Sequence, residues 1–390
     1  MTAECDLLVV GAGIHGAGVA QAAAAAGWRV VVIEQAATPA QGTSSRSSKL
    51  IHGGLRYLEG GHLGLVHECL RERALLLRNA PHLVRLLPMH LPVYRDSRLG
   101  PWRLGAGLAL YALLGGLRPA NRSQRVPAAA WASLDGLRRD GLRAVYRYAE
   151  AQADDAALTR AVVASAVRLG ATLHCDAELV GAVLDGAGGR ATVRIGGSER
   201  RFAFRVLVNT SGPWLTRVLA RVTPAPPAPA IELVRGAHIV LPQSTVAGYY
   251  IESPRDRRPV FVLPWRGGTL VGTTEVMHTG DPGHVVPSAD EIDYLLQAYA
   301  HHFPGRPAGR DAVAGSFAGL RVLPAGAGRF GARSRETLLL ADRPDAPRLV
   351  TVAGGKLTSY RATAARVIER IRATLPPAQQ VARTEELALE

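Results

Sequence analysis

Lysine is almost missing from this chain. Of its 46 basic residues only Lys49 and Lys356 are lysines. Cysteine is scarce too: Cys5, Cys69 and Cys175 are odd in number, far apart and without C-x-x-C spacing. That pattern excludes a disulfide framework and fits a reducing, cytosolic compartment. Aromatic residues make up only 5% of the chain, and no basic stretch is interleaved with them, which argues against a nucleic-acid partner. The histidines lack ligand spacing, so no metal site is expected; His301 and His302 read as the end of a helix. There is no low-complexity tract, no internal repeat and no signal peptide, because "MTAECDLLVVGAG" enters a strand almost at once. No apolar run reaches the roughly 18 residues that a spanning helix needs. The nearest, "LGAGLALYALLGG" (Leu104–Gly116), reads either as a buried helix or as an interfacial one with Trp102 and Arg103 at lipid headgroups.

What is present is a chain of 390 residues with 47% hydrophobic content, enough for two domains or one large domain with insertions. Its net charge of +14 fits an anionic membrane, an anionic substrate or simple arginine-rich drift. The clearest local signal is "CDLLVVGAGIHGAG". An apolar strand, Leu7–Val10, leads into Gly11, Gly13 and Gly16 in G-x-G-x-x-G spacing, then an alanine-rich helix to Gly27 and a second strand, "RVVVIE". This is the strand–turn–helix–strand setting of a dinucleotide site. Gly11 permits the tight turn, Gly13 lets a pyrophosphate reach the backbone beside Ile14, and Gly16 lets helix and strand pack. The free N–H groups of the helix N-terminus suit phosphate oxygens. Glu34 lies where a carboxylate holds ribose hydroxyls.

Between NAD and FAD, the next segment decides. After Glu34 the chain runs into "TSSRSSKLIHGGLRYL" (Thr43–Leu58), whose hydroxyls at Ser44, Ser45, Ser47 and Ser48 suit a second set of phosphate and flavin oxygens. Near the other end, "RLVTVAGGKLTSYRATAARVIERIRATL" reads as strand, Gly354-Gly355 turn and amphipathic helix. Such a helix terminus stabilises negative charge on a reduced flavin. Both lysines fall in these two turns, and a compact ammonium does what a broad guanidinium fork cannot.

Together, "GAGIHGAG", "TSSRSSKLIHGGLRYL", "VNTSGPWL", "RGAHIVLP", "VLPWRGGTLVGTTE", "FAGLRVLP" and "GGKLTSYR" resemble the FAD-dependent glycerol-3-phosphate dehydrogenases of the D-amino-acid-oxidase-like superfamily. The motifs run in the family's order over almost the whole chain. Three features depart from it. His15 stands where the family usually has Asn, Glu275 where it usually has Asp, and the chain reaches Glu390 without the further helical domain of many members. Oligomeric state is not legible.

The resemblance implies an α/β fold: a discontinuous Rossmann-like FAD domain from about 1–68, 143–216 and 332–390, and a substrate domain with a mixed or antiparallel sheet from 69–142 and 217–331. "TPAPPAPA" reads as a connector between them. FAD is expected to be held without a covalent link. Beyond the glycine and serine residues above, Thr43, Lys49, Leu50, His52 and Gly53 are expected to line it. So are Glu178, Gly212, Lys356, Leu357 and Thr358. Substrate phosphate is expected on Arg56, Tyr57, Arg321, Arg335 and Lys356, with Arg333 the rival of Arg335, and His238 facing the substrate. Bidentate arginine forks match phosphate oxygens. The implied reaction takes a hydride from C2 of glycerol 3-phosphate to flavin N5, giving dihydroxyacetone phosphate. His52 and His238 are the candidate bases, and Arg56 stands beside them. The electron acceptor is quinone, oxygen or a partner protein. The location is cytoplasmic, with a peripheral seat on the inner membrane's cytoplasmic face as its membrane-bound form. Two rival readings remain: a flavin enzyme acting on a 2-hydroxy acid or amino acid, and a non-catalytic, membrane-associated flavin-binding protein.

Overall fold

Leu7, Leu8, Val9 and Val10 are all buried, so the first strand, Thr2–Val10, is covered on both faces. Alternate side chains divide between two cores, as the two-residue period of a strand requires. Leu7 and Val9 join Val30, Val32, Val206, Val208 and Val350 on one face; Leu8 and Val10 join Ile33, Leu207 and Leu349 on the other. These contacts come from a computed structural model that describes residues 2–326 and 337–390. Thr2–Val10 lies between Val30–Ile33 and Ser198–Asn209, parallel to both. Thr172–His174 and Leu349–Ala353 extend the parallel set outward. An antiparallel meander, Ala177–Leu184, Gly189–Ile195 and Ser198–Asn209, completes most of this nine-stranded sheet.

Helices Ile14–Ala25, Asp155–Arg168 and Tyr360–Ile371 pack with the first of these faces. The alanines of the first helix keep its neighbours close. At Gly18 even a methyl group would stand 2.7 Å from the Tyr360 ring. Gln21 Nε2 donates to Ser165 Oγ at 2.8 Å, one buried polar pair between two helices.

The second sheet has ten strands and is mostly antiparallel. Ile231–Leu241 pairs along its length with Gly315–Pro324 and at its end with Gly268–Gly272. The pair Gly248–Glu252 with Val84–Tyr94 is parallel, so the sheet is mixed. Helix Ala289–His302 packs on it, begun by a capping box between Ser288 and Glu291 and ended by the two adjacent histidines. The proline-rich connector carries the chain from Val222–Thr223 in the first sheet to Ile231–Leu241 in the second.

Two boundaries differ from expectation: Val222–Thr223, expected in the substrate domain, pairs in the first sheet. Leu142–Ala153, expected from residue 143 onward in the FAD domain, pairs with Val84–Tyr94 in the second sheet. The chain crosses between sheets after Ala153, where Asp154 caps the next helix and accepts the Ala157 N–H at 3.0 Å. Leu50–Ile51 also pairs with that strand, so the stretch holding Lys49 and His52 runs between the two sheets.

Candidate functional site

A cleft of about 530 Å³ opens between the sheets, and both glycine turns face it. Gly11 has φ +99° and donates its N–H to the Ile33 carbonyl at 2.8 Å, which closes the first turn. Gly16 is held by packing: a Cβ there would stand 1.8 Å from the Gly11 carbonyl oxygen. Thr210 braces the turn from the neighbouring strand, its hydroxyl donating to Val10 O at 2.9 Å and Gly11 O at 3.0 Å. The helix that follows has Gly13 at its N-cap, a residue with no side chain to cap it. Ser44 Oγ accepts the Ile14 N–H at 2.9 Å, so the serine turn is docked on the glycine turn.

Glu34 lies on the cleft wall with its carboxylate held by the Ala12 N–H at 2.7 Å and the Ala36 N–H at 2.9 Å. Each oxygen retains a lone pair for a ribose hydroxyl. Gly354 and Gly355, at φ +78° and +105°, form the second turn. It touches the first through His15, since a Cβ on Gly355 would stand 2.1 Å from His15 Nε2. Burial, with Arg366 adding to it, pushes the His15 pKa down to about 4. Thr43, Ser48, Leu50, Glu178, Gly212, Leu357 and Thr358 line the same cleft. Two glycine turns, an oriented carboxylate and hydroxyls along one continuous cleft fit an extended dinucleotide such as FAD.

On the other side of the cleft stand His52, Arg56, Tyr57, His238, Arg321 and Lys356. Lys356 Nζ lies 4.3 Å above the Tyr57 ring. The Arg321 guanidinium donates to Thr273 Oγ1 at 3.0 Å and the Thr274 carbonyl at 3.3 Å. It also lies 3.7 Å from Glu275, whose other oxygen is 2.9 Å from Arg258. His238 is buried, stacks on Phe317 at 4.9 Å and shares a 2.9 Å hydrogen bond between Nε2 and Ser48 Oγ. Burial first, then Arg321 and Lys49, pushes its pKa down to about 3, so its ring is neutral at working pH. The His52 N–H donates to Thr358 Oγ1 at 3.1 Å, joining the two motif segments.

Several expected contacts stand elsewhere. Lys49 is 6% exposed and does not line the cleft; its ammonium is bonded to Asp155, itself on the cleft wall, at 2.6 Å and to the Ser45 carbonyl at 2.7 Å. Phe317 and Trp265 flank it at 5.2 and 5.6 Å. A compact ammonium fits this closed ion pair. Ser45 is likewise off the wall, its hydroxyl bonded to the Gly42 carbonyl at 3.0 Å. Gly16 and Gly53 are also not on the wall; Gly53 is small because Tyr111 and Leu70 press on it from behind. Arg335 and its rival Arg333 lie outside the described residues.

The structure adds wall residues that the sequence reading passed over, Arg46, Thr210, Trp214, Arg258 and Phe261, and places Glu275, noted above as a departure from the family, on the same wall. Trp214 and Thr210 belong to "VNTSGPWL", so their motif was a signal. Arg258 sits among Arg255 and Arg257 with nothing to distinguish it. Among the described residues no cluster suits a metal ion and no helix is long and apolar enough to cross a membrane.

Comparison with known proteins agrees with this site. Residues 6–368 match the family described as FAD dependent oxidoreductase, DAO. The chain is 38% identical to glycerol-3-phosphate dehydrogenase of Pseudomonas aeruginosa, covering 96% of this chain and 73% of the relative. It is 36% identical to D-erythritol 1-phosphate dehydrogenase of Brucella abortus, covering 95% and 74%. In three dimensions it resembles glycerol-3-phosphate dehydrogenase from Bacillus halodurans complexed with FAD, with TM-score 0.74, 26% identity and coverage of 99% and 68%. L-alpha-glycerophosphate oxidase from Mycoplasma pneumoniae, at 15% identity and TM-score 0.72 over 97% and 98%, shares the fold. The chain belongs to the FAD dependent oxidoreductase (DAO) family, in the branch that holds the glycerol-3-phosphate dehydrogenases.

Proposed function

We propose that the chain oxidises sn-glycerol 3-phosphate to dihydroxyacetone phosphate. The observation that carries this reading is the cluster of Arg321, Arg56, Lys356 and Tyr57 on the cleft that also receives both glycine turns. A carboxylate substrate needs one arginine; a phosphate dianion calls for several cations and an O–H donor. When bound, FAD supplies the hydride acceptor. The chain's own residues orient the phosphate, exclude water and remove the C2 hydroxyl proton. For that proton we favour His52. His238, neutral and buried, is a poor proton acceptor and serves better to hydrogen-bond the substrate.

The experiment is anaerobic bleaching of the bound flavin by glycerol 3-phosphate, set against D-erythritol 1-phosphate, lactate, 2-hydroxyglutarate and amino acids. The erythritol compound earns its place through the relative of similar identity. Bleaching by a 2-hydroxy acid or amino acid alone overturns the reading; no bleaching by any of them supports a non-catalytic protein. His52→Asn should lower kcat about a hundredfold or more, the usual share of a general base. His238→Asn should leave the acidic limb of the kcat/KM profile where it was, because a group with pKa about 3 does not titrate there. Loss of that limb in His238→Asn would reverse the assignment.

We also propose a peripheral seat on an anionic membrane, on its cytoplasmic face, with quinone as electron acceptor. Helix Pro101–Leu114 buries Leu108, Tyr111 and Ala112 but exposes Leu110, Leu113 and, at 90%, Trp102. The buried face of this helix agrees with the core reading, and its exposed face supports the interfacial one. Exposed Arg103, Arg118, Arg122, Arg125, Arg143 and Arg147 belong to it and to the neighbouring segments, and none has a carboxylate partner among the described residues. Each cation near an anionic surface is worth about 1 kcal/mol. Flotation should carry the protein up with anionic vesicles at low salt and release it at high salt, and Trp102→Ala should weaken binding. Protein that stays down at low salt, and reduces oxygen faster than any quinone analogue, would be a soluble oxidase.

A further inference from the structure

Behind the turn that carries His52 lies a buried polar knot to which the reaction assigns no task. Glu150 is 2% exposed, Arg73 1% and Tyr111 0%. They come from three elements: strand Leu142–Ala153, helix Leu63–Asn79 and helix Pro101–Leu114. Tyr111 Oη donates to Glu150 Oε1 at 2.8 Å, and Arg73 Nη1 donates to Oε2 at 2.5 Å. Arg73 also donates to the Ala149 carbonyl at 2.9 Å and to Asn121 Oδ1. One further donor reaches the carboxylate, and it is a main-chain amide: the Gly53 N–H, 2.9 Å from Oε2.

Taking an ion pair out of water is costly, and apolar packing of equal volume would serve stability as well. A knot of this kind is therefore better explained by what it orients. The main-chain amide bonded to the Glu150 carboxylate adjoins His52, and the contact leaves no slack. A Cβ on Gly53 would stand 2.1 Å from Tyr111 Oη and 2.4 Å from Leu70 Cδ2. The preceding amide, of His52, is fixed by Thr358 Oγ1 at 3.1 Å. Two consecutive peptide groups are thus pinned by side chains from separate elements, just before the turn Leu55–Leu58 that carries Arg56 and Tyr57.

We propose that Glu150 is a positioning residue. Through the Gly53 amide it fixes the main chain at His52, and with it the direction in which His52, Arg56 and Tyr57 face the substrate. Arg73 and Tyr111 hold the carboxylate for that task. The proposal rests on the reading of this cleft as the reaction site.

The test uses the FAD-loaded protein and two variants, Tyr111→Phe and Glu150→Gln. Tyr111→Phe removes one hydroxyl from a residue that otherwise fits, so it decides the matter if Glu150→Gln does not fold. Two quantities are read: hydrogen–deuterium exchange of the peptide spanning residues 50–58, and the anaerobic rate of flavin reduction at saturating glycerol 3-phosphate. Exchange should rise several-fold in that peptide while the parallel sheet keeps its protection. The reduction rate should fall about tenfold to a hundredfold, as expected for a reacting group displaced by a fraction of an ångström, with FAD retained. Unchanged exchange at 50–58 overturns the proposal. So does raised exchange with an unchanged reduction rate, or exchange raised evenly across the molecule, which marks a merely structural role. If glycerol 3-phosphate fails to reduce the wild-type flavin, the substrate reading fails. The exchange contrast then decides alone whether Glu150 holds the turn.

Discussion

Arg321→Ala should raise KM for glycerol 3-phosphate by one to two orders of magnitude or more and leave FAD bound. Arg321 projects from strand Gly315–Pro324 onto the cleft wall, where Thr273 and the Thr274 carbonyl hold its guanidinium at 3.0 and 3.3 Å. A fork held in this way is ready for a phosphate, and little side-chain entropy remains to be lost on binding. A hydrogen bond to a charged group contributes about 1.5–3 kcal/mol, and a bidentate contact makes two of them. The variant leaves Glu275 paired with Arg258 at 2.9 Å, so the wall should not collapse around an orphaned carboxylate. Arg321→Lys should recover part of the loss, because an ammonium restores the charge but not the fork. Steady-state kinetics on yellow, FAD-saturated protein give the answer. If KM is spared, the phosphate is bound elsewhere on the wall.

Gly16→Val should abolish retention of FAD. The first Cβ already lies 1.8 Å from the Gly11 carbonyl oxygen and 2.7 Å from Thr210 Oγ1. The helix must lift from the strand, or the Gly11–Gly13 turn must open. Overpacking of this kind costs about 1–3 kcal/mol on its own. The larger loss is at the helix N-terminus, whose N–H groups move out of register with the phosphate oxygens. Together the two should weaken FAD binding more than about a hundredfold, at roughly 1.5–3 kcal/mol for each charge-assisted bond lost. Gel filtration followed by the flavin absorbance ratio measures it. A variant that leaves the column fully yellow would show that the turn tolerates the side chain.

Much of the cofactor side is legible along the chain because the chemistry there is done by backbone. A tight turn at Gly11, a helix start without a side chain at Gly13 and a helix pressed on a strand at Gly16 are local demands, so they leave a local glycine pattern. Glu34 directly follows the next strand, Val30–Ile33, and is legible for the same reason. The substrate side is less so. Arg321 stands out because it is flanked by apolar residues in "GLRVLP", whereas Arg258 is one of three arginines in four positions, from Arg255 to Arg258. Only the pairing of strands selects it.

Lys49 shows the limit most plainly. Its rarity and its place in the serine turn mark it as special, and it is, but for Asp155, which lies 106 positions along the chain. The sequence by itself determined the parallel nucleotide-binding unit and the alternating strands of the second sheet, because strand period and turn chemistry act over a few residues at a time, and its motifs in their order carried the resemblance to the family. Tertiary structure alone decided which side chains reach the cleft, which face of helix Pro101–Leu114 is wet, and that Glu150 lies beneath Gly53. Those outcomes depend on the close packing of elements distant in sequence, and a buried charge records its partner only in space.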